Sequence, residues 1–223
     1  AMEPQQRLLL ELSMEALHDA YLAKGSLPRK TGVYVGQCAH DYAEVVRGAK
    51  SVYAATGNGA CFSAGRIAHF LGTEGPAQVF DTACSSSLVA MHHAKNALAN
   101  GEVDLALVGA ANLVLSKEMM AWMARTNALS PDGTAAPFDM AANGYVHGEG
   151  GVTLVLMRVE EALAARRRIY GVVAGSAINH DGRAATLTAP NPQAQRRVIE
   201  AALADAGVPA NDVDYVEGHG TGT

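Results

Sequence analysis

The 223-residue sequence predicts an α/β fold whose mainly parallel sheet is covered on both faces. Three observations lead there. Short apolar runs alternate with stretches of helical periodicity along the whole chain. Glycine, proline or asparagine stands at most of the boundaries between them. The composition is 49% hydrophobic with 23 glycines and only 5% aromatic residues, the balance of a tightly packed α/β protein rich in small side chains.

Taken in order, residues 5–22 place Leu8, Leu9, Leu12, Ala16 and Leu17 at helical spacing, with Pro4 near the start. After Gly25 and Pro28, Thr31–Gly36 reads as a short strand. Residues 59–71 form a small-residue helix stopped by Gly72, and 78–82 the next strand. The helix after Cys84 runs to Asn100 and Gly101, a good stop signal. A buried strand covers 104–108, a helix 117–125, and Ser130-Pro131-Asp132-Gly133 a turn. A strand at 151–158 precedes a charged helix at 160–168. A strand at 170–178, a helix at 193–206 and a strand at 213–217 complete the alternation. No low-complexity linker or short-period repeat interrupts it.

Charge and cysteine usage exclude several function classes. A net charge of −5 and a pI near 5.9 argue against nucleic acid or an anionic membrane as the main partner. No apolar stretch approaches the ~20 residues of a membrane span; residues 105–115 read as one buried strand and its exit. The opening AMEPQQRLLLEL lacks the shape of a signal peptide. Three widely spaced cysteines suit a reducing compartment better than a disulfide framework, so a cytoplasmic location is expected.

The segment VFDTACSSSLVAMHH (79–93) carries the most chemistry. A β-type run reaches Cys84 and changes at once into a helical pattern opened by Ser85, Ser86 and Ser87. Leu88, Met91 and Leu98 lie at helical spacing, with Ala94 and Ala97 beside them. Backbone N–H groups and the helix dipole point at a cysteine in such a junction. They stabilise a thiolate and can hold the oxyanion of a thioester or amide under attack. Cys84 therefore reads as a nucleophile rather than a small buried thiol.

A second chemical feature is GHGTGT, residues 218–223, following the predicted strand VDYVE. Small residues around His219 let backbone and ligand approach closely, and Thr221 and Thr223 offer hydroxyls two residues apart. The spacing is not the dinucleotide fingerprint, and no helix follows it.

With Cys84 and His219 taken together, the sequence closely resembles the β-ketoacyl synthase family, specifically the ketosynthase domains of modular polyketide synthases. The resemblance runs through PQQRLLLE (4–11), VYVG (33–36), ATGN (55–58), SAGRI (63–67), GPAQVFDTACSSSL (75–88), SPDG (130–133), GEG (148–150), TAPN (188–191) and GHGTGT (218–223). It implies a thiolase-like, five-layered α-β-α-β-α fold, with an N-terminal unit over 1–158 and a second unit beginning near 169. In this family the cysteine of DTACSSS takes the acyl chain as a thioester and the histidine of HGTGT assists condensation. Cys84 and His219 match those positions, and Thr221 and Thr223 match positions that contact the pantetheine arm.

The resemblance further implies a decarboxylative Claisen condensation. Cys84 would accept an acyl group from the phosphopantetheine of an acyl carrier protein. A malonyl-type thioester on a second carrier would then lose carbon dioxide and attack it. No metal and no resident redox cofactor are needed, and a homodimer is implied, with the strand before Cys84 close to the interface. The family domain begins earlier and continues past HGTGT to a lysine and a second histidine, so the sequence reads as an internal fragment, expected to be inactive alone. Asn143, Gly218 and Ala184-Ala185-Thr186 depart from the commonest family residues and leave the chemistry intact.

Weaker candidates read more simply. Cys38 and Cys61 lack the strand–helix setting and read as structural. His92 and His93, adjacent on the exposed side of a helix, cannot share a metal face. His147 and Glu149 suit a turn or the entrance to a site, His180-Asp181 a turn, and Arg166-Arg167-Arg168 a solvated helix end or a carrier-protein docking patch. Two rival readings remain: a papain-like cysteine peptidase, against which the surroundings of Cys84 lack the C-G-x-C-W pattern, and an inert polypeptide contributing only dimer contacts.

Overall fold

Helix α1 (Pro4–Asp19) opens where Pro4 fixes the backbone and the Glu3 carboxylate accepts from the Gln6 amide (3.0 Å). The computed structural model describes residues 2–48 and 50–223. They divide into two units, one holding the residues up to Arg158 together with Gly218–Thr223, the other Val159–Glu217.

In the first unit, α1 is followed by strand β1 (Thr31–Gly36), as the sequence predicts. Two short helices, α2 (Tyr42–Val45) and α3 (Ala54–Asn58), fall between it and α4 (Cys61–Leu71); each is too short to show a helical period. Strand β2 (Ala77–Phe80), helix α5 (Ser86–Ala99), strand β3 (Leu105–Asn112), helix α6 (Lys117–Ala124) and strand β4 (Gly150–Leu156) complete it. The sheet order is β2-β1-β3-β4. β1 pairs parallel with both β2 and β3, while β4 runs antiparallel to β3, starting with Gly150 opposite Asn112. The antiparallel fourth strand qualifies the expected parallel sheet. The connection from α6 stays at the C-terminal end of β3, so β4 must enter the sheet from that end.

Alternation along β1 builds both faces. Val33 and Val35 point to a cluster with Leu9 and Leu17 of α1, Ile67 and Leu71 of α4, and Leu105 and Leu107 of β3. Tyr34 points the other way, to Ala90, Ala94, Ala97 and Leu98 of α5 and Ala106 and Val108 of β3. Fully burying a side chain of this size contributes about 1.5–3 kcal/mol. The buried face of α5 is thus its alanine stripe. Leu88, expected on that face, is exposed, because alanines let the helix lie close to the sheet and turn the bulky residue outward.

The second unit holds α7 (Val159–Ala164) and α8 (Pro192–Ala206). α8 starts on Asn191, whose Oδ1 accepts from the amides of Gln193 and Ala194 (3.1 and 3.3 Å). α7 is shorter than the expected 160–168, since Arg166 takes a left-handed conformation (φ 52°), and the three arginines lie beyond the helix. The expected strands at 170–178 and 213–217 are not formed among the described residues. Among its described residues the second unit forms no strand, and the first of these segments bonds along α8 instead. Its Ser176 amide donates to Asp205 (2.8 Å), and the Asn179 side chain donates to the Ala194 carbonyl (2.8 Å).

Candidate active site

Cys84 stands at the C-terminal edge of the parallel strands, in the turn from β2 to α5. The turn is strained at Ala83, whose φ of 54° is left-handed. That conformation costs a residue with a Cβ about 1–2 kcal/mol. Side chains on both sides hold it. Asp81 Oδ1 accepts from the Ala83 amide (3.3 Å). The Ser85 hydroxyl donates to the Thr82 carbonyl (2.8 Å) and that of Ser86 to the Ala83 carbonyl (2.6 Å). Ser86 Oγ also accepts from the Thr82 amide (2.9 Å).

The helix itself begins at Ser86 with Ser85 as its cap, so Cys84 lies one residue before the cap. Two of the helix-end amides that the sequence suggested would face the thiol, those of Ser85 and Ser86, instead bond back to Thr82 and Ala83 (3.4 and 3.1 Å). The Cys84 amide enters none of these bonds, and the residue is exposed.

What sets the height of this turn is a side chain that β1 lacks. A Cβ on Gly36 would lie 2.5 Å from the Ser87 amide nitrogen and 2.6 Å from the Ser86 carbonyl carbon, so only glycine lets α5 start directly over the end of the strand.

Two groups around Cys84 are not visible in the motif. Cys38, two residues beyond Gly36, has its thiol pushed above the ordinary range, first by desolvation, then by the charges of Asp81 and Cys84. The Tyr145 phenol is raised by desolvation and then by Cys84. His40 Nε2 lies 4.0 Å from Asp81 Oδ2 on the same edge. Cys38, expected to be structural, stands just past the end of β1, on the sheet edge where β2 leads into Cys84. The available signal was its offset of two from Gly36, which returns it to the same strand face. Cys61, exposed at the start of α4, carries no such link.

His219 belongs to the same unit as Cys84. Its segment is anchored by the loop that carries Tyr145. The Gly144 amide donates to the Gly222 carbonyl (2.9 Å), and the Phe138 ring lies against Gly218 and Gly220. Gly144 needs its freedom, at φ 143°. His219 is exposed, and Thr221 and Thr223 share a hydrogen bond between their hydroxyls (2.7 Å). The HGTGT segment is thus joined at Gly222 to the loop that carries Tyr145.

The β3–α6 loop is held from three directions. The amide of Leu113 donates to Gln5 Oε1 (3.1 Å), that of Val114 to Glu149 (2.7 Å), and those of Leu115 and Ser116 to Asp41 Oδ2 (2.8 Å each). His147 adds a contact between Nε2 and the Asn112 side chain (3.3 Å). Glu149 and His147 are thereby placed as braces of this loop. His93 stacks on Phe80 with ring centroids 4.6 Å apart, and no cluster able to hold a metal exists among the described residues. His180 accepts from the Gly182 amide (2.9 Å), the turn expected there.

Comparison with known proteins agrees with this arrangement. The model of the β-ketoacyl synthase N-terminal domain matches residues 1–162, and that of the β-ketoacyl synthase C-terminal domain matches residues 170–223. The mycoketide-CoA synthase of Mycobacterium tuberculosis is 46% identical over 228 residues, covering 100% of this chain and 5% of its own length. The pikromycin polyketide synthase component PikAII of Streptomyces venezuelae is 46% identical over 228 residues, covering 100% of this chain and 6% of its own. The chain thus spans a small part of these curated relatives. The solved ketosynthase from module 6 of the Bacillus subtilis bacillaene synthase is 41% identical, with a TM-score of 0.92 over 100% of this chain and 39% of that one. The fold is therefore thiolase-like, and the chain belongs to the β-ketoacyl synthase family.

Proposed function

We propose that this chain carries the nucleophile of a polyketide-type ketosynthase, which accepts an acyl group on Cys84 and extends it by a decarboxylative Claisen condensation. The observation that carries the reading is the β2–α5 turn. It holds an exposed thiol next to the strained Ala83, at the start of α5, in the unit that also contains the HGTGT segment.

The Cys84 thiolate attacks the thioester carbonyl of an acyl group delivered on the phosphopantetheine of an acyl carrier protein. The Cys84 amide donates to the tetrahedral oxyanion, and collapse expels the carrier thiol. A malonyl-type thioester on a second carrier then loses carbon dioxide. His219 donates to its thioester oxygen and so stabilises the enolate, while Thr221 and Thr223 contact the pantetheine arm. The enolate carbon attacks the Cys84 thioester, giving a β-ketoacyl carrier thioester and free Cys84. Neither a resident metal nor a redox cofactor takes part, since decarboxylation drives the bond formation.

The partners in this reading are acyl carrier proteins in the cytoplasm and a second copy of the chain. In support of a homodimer, β2 forms one edge of the sheet, and its Ala77 and Gln78 are exposed. The test uses the purified full-length protein and separates two readouts, acyl transfer from a radiolabelled acyl thioester and carbon dioxide release from malonyl carrier protein. Labelling confined to the Cys84 peptide, with condensation following it, supports the proposal. Acyl transfer to another residue refutes it.

A further inference from the structure

Cys84 has a second thiol on its side of the sheet. Alternation along β1 sends Val33 and Val35 toward α1 and α4, and Tyr34 toward α5. Gly36 continues the Tyr34 side, since its missing Cβ would meet the start of α5. Gln37 returns to the α4 side, where its Oε1 accepts from the Ser63 hydroxyl (2.5 Å). Its amide still pairs with the Phe80 carbonyl (3.1 Å), which keeps the chain extended alongside β2. The next alternation brings Cys38 back to the α5 side, where Cys84 stands two residues before Ser86. Desolvation, then the charges of Asp81 and Cys84, favour the protonated Cys38 thiol, in keeping with that placement. All three cysteines are exposed to solvent, but Cys61 lies at the start of α4, away from the ends of β1 and β2.

We propose that Cys38 and Cys84 form a reversible disulfide under hydrogen peroxide, with Cys84 as the thiol first oxidised and Cys38 as the one that resolves it. The Cys84 thiolate attacks a peroxide oxygen; the O–O bond breaks, leaving a sulfenic acid and, after protonation, water. The Cys38 sulfur then attacks the sulfenic sulfur. An S–S bond forms, the S–O bond breaks, and a second water leaves with the thiol proton. Two thiols are oxidised by two electrons and one peroxide is reduced to two waters. A dithiol such as dithiothreitol reverses the bond by exchange.

This reaction stands on the two sulfurs alone. Its consequence, a synthase that cannot be acylated until reduced, rests on the function proposed above. Trypsin separates the three cysteines cleanly, onto peptides 31–47, 51–66 and 67–95. The purified full-length protein is treated with hydrogen peroxide, its free thiols are blocked, and it is mapped without reduction. The expected product is a cross-link between peptides 31–47 and 67–95 that dithiothreitol removes. In Cys38→Ser that product is absent and the Cys84 peptide instead accumulates sulfenic acid, trapped by dimedone, and then sulfinic acid. Cys61→Ser leaves the cross-link unchanged and controls for folding. Wild-type protein in which Cys84 advances to sulfinic acid as fast as in Cys38→Ser, with no cross-link, overturns the proposal, as does a cross-link through Cys61. A cross-link that forms in a protein whose reduced Cys84 accepts no acyl group upholds the disulfide and rejects the ketosynthase reading.

Discussion

The turn carrying Cys84 and the segment carrying His219 are held in place by different means. The first is a product of the sheet: a strained Ala83, two serine hydroxyls and the missing side chain of Gly36 fix it over two buried parallel strands. The second is exposed at His219 and buried at Gly222, where one backbone bond holds it to its unit, and its glycines lie against Phe138. A nucleophile needs a single orientation at a defined height. A donor that serves a substrate entering from solvent needs room around it, which glycines supply.

The largest effect that sharpens this contrast is at the sulfur itself. Cys84→Ala is expected to abolish the covalent acyl-enzyme altogether in an autoradiographic loading assay, while release of carbon dioxide from malonyl carrier protein persists. His219→Ala should do the reverse, lowering condensation by about 10²–10³-fold, as for loss of one preorganised donor, with loading close to normal. Equal loss of loading in both variants would break the comparison.

A structural test follows from Gly36. Gly36→Ala drives a Cβ into the backbone of Ser86 and Ser87. It should destabilise the protein by about 1–3 kcal/mol in a denaturant titration, the usual cost of overpacking, and slow acyl loading as α5 shifts. Ala83→Gly removes a left-handed strain but frees the unfolded chain, so its stability should stay within about 1 kcal/mol of the parent.

The smallest expected effect concerns alkaline pH. Cys38 titrates above its ordinary value in the folded protein, so folding favours its protonated form. The stability this contributes is complete below the unfolded thiol's range and is lost as pH rises through the folded pKa. Thermal melting should therefore decline as pH rises above the thiol range, less steeply in Cys38→Ser than in Cys61→Ser. Identical slopes would show that folding leaves the Cys38 thiol unshifted.

Much of this is legible in the sequence alone. Val33, Tyr34 and Val35 announce a buried strand by composition, and Asn100-Gly101 announces the end of α5 by turn chemistry. The candidates Cys84 and His219 stand out because their motifs are short, local and chemically unusual. The parts that escape depend on neighbours distant in sequence. Residues 170–178 and 213–217 have strand composition but form no strand, and the first is bonded to α8 instead. Leu88 follows helical spacing, yet the alanine stripe is the side that fits the sheet. Cys38 and Tyr145 acquire their roles only when the ends of β1 and β2 and the loop before β4 are brought to one edge.

The four amides of Leu113–Ser116 have a consequence for the order of assembly. Their acceptors lie far along the chain, Gln5 108 residues from Leu113, Asp41 74 and 75 residues from Leu115 and Ser116, and Glu149 35 residues from Val114. Each bond closes a long loop whose entropy must already have been given up, and only the pairing of β1, β3 and β4 can have removed it. This junction is a late event in folding, a latch that closes after the sheet has formed. In pulsed hydrogen exchange during refolding, the amides of 113–116 should gain protection after those of β1 and β3.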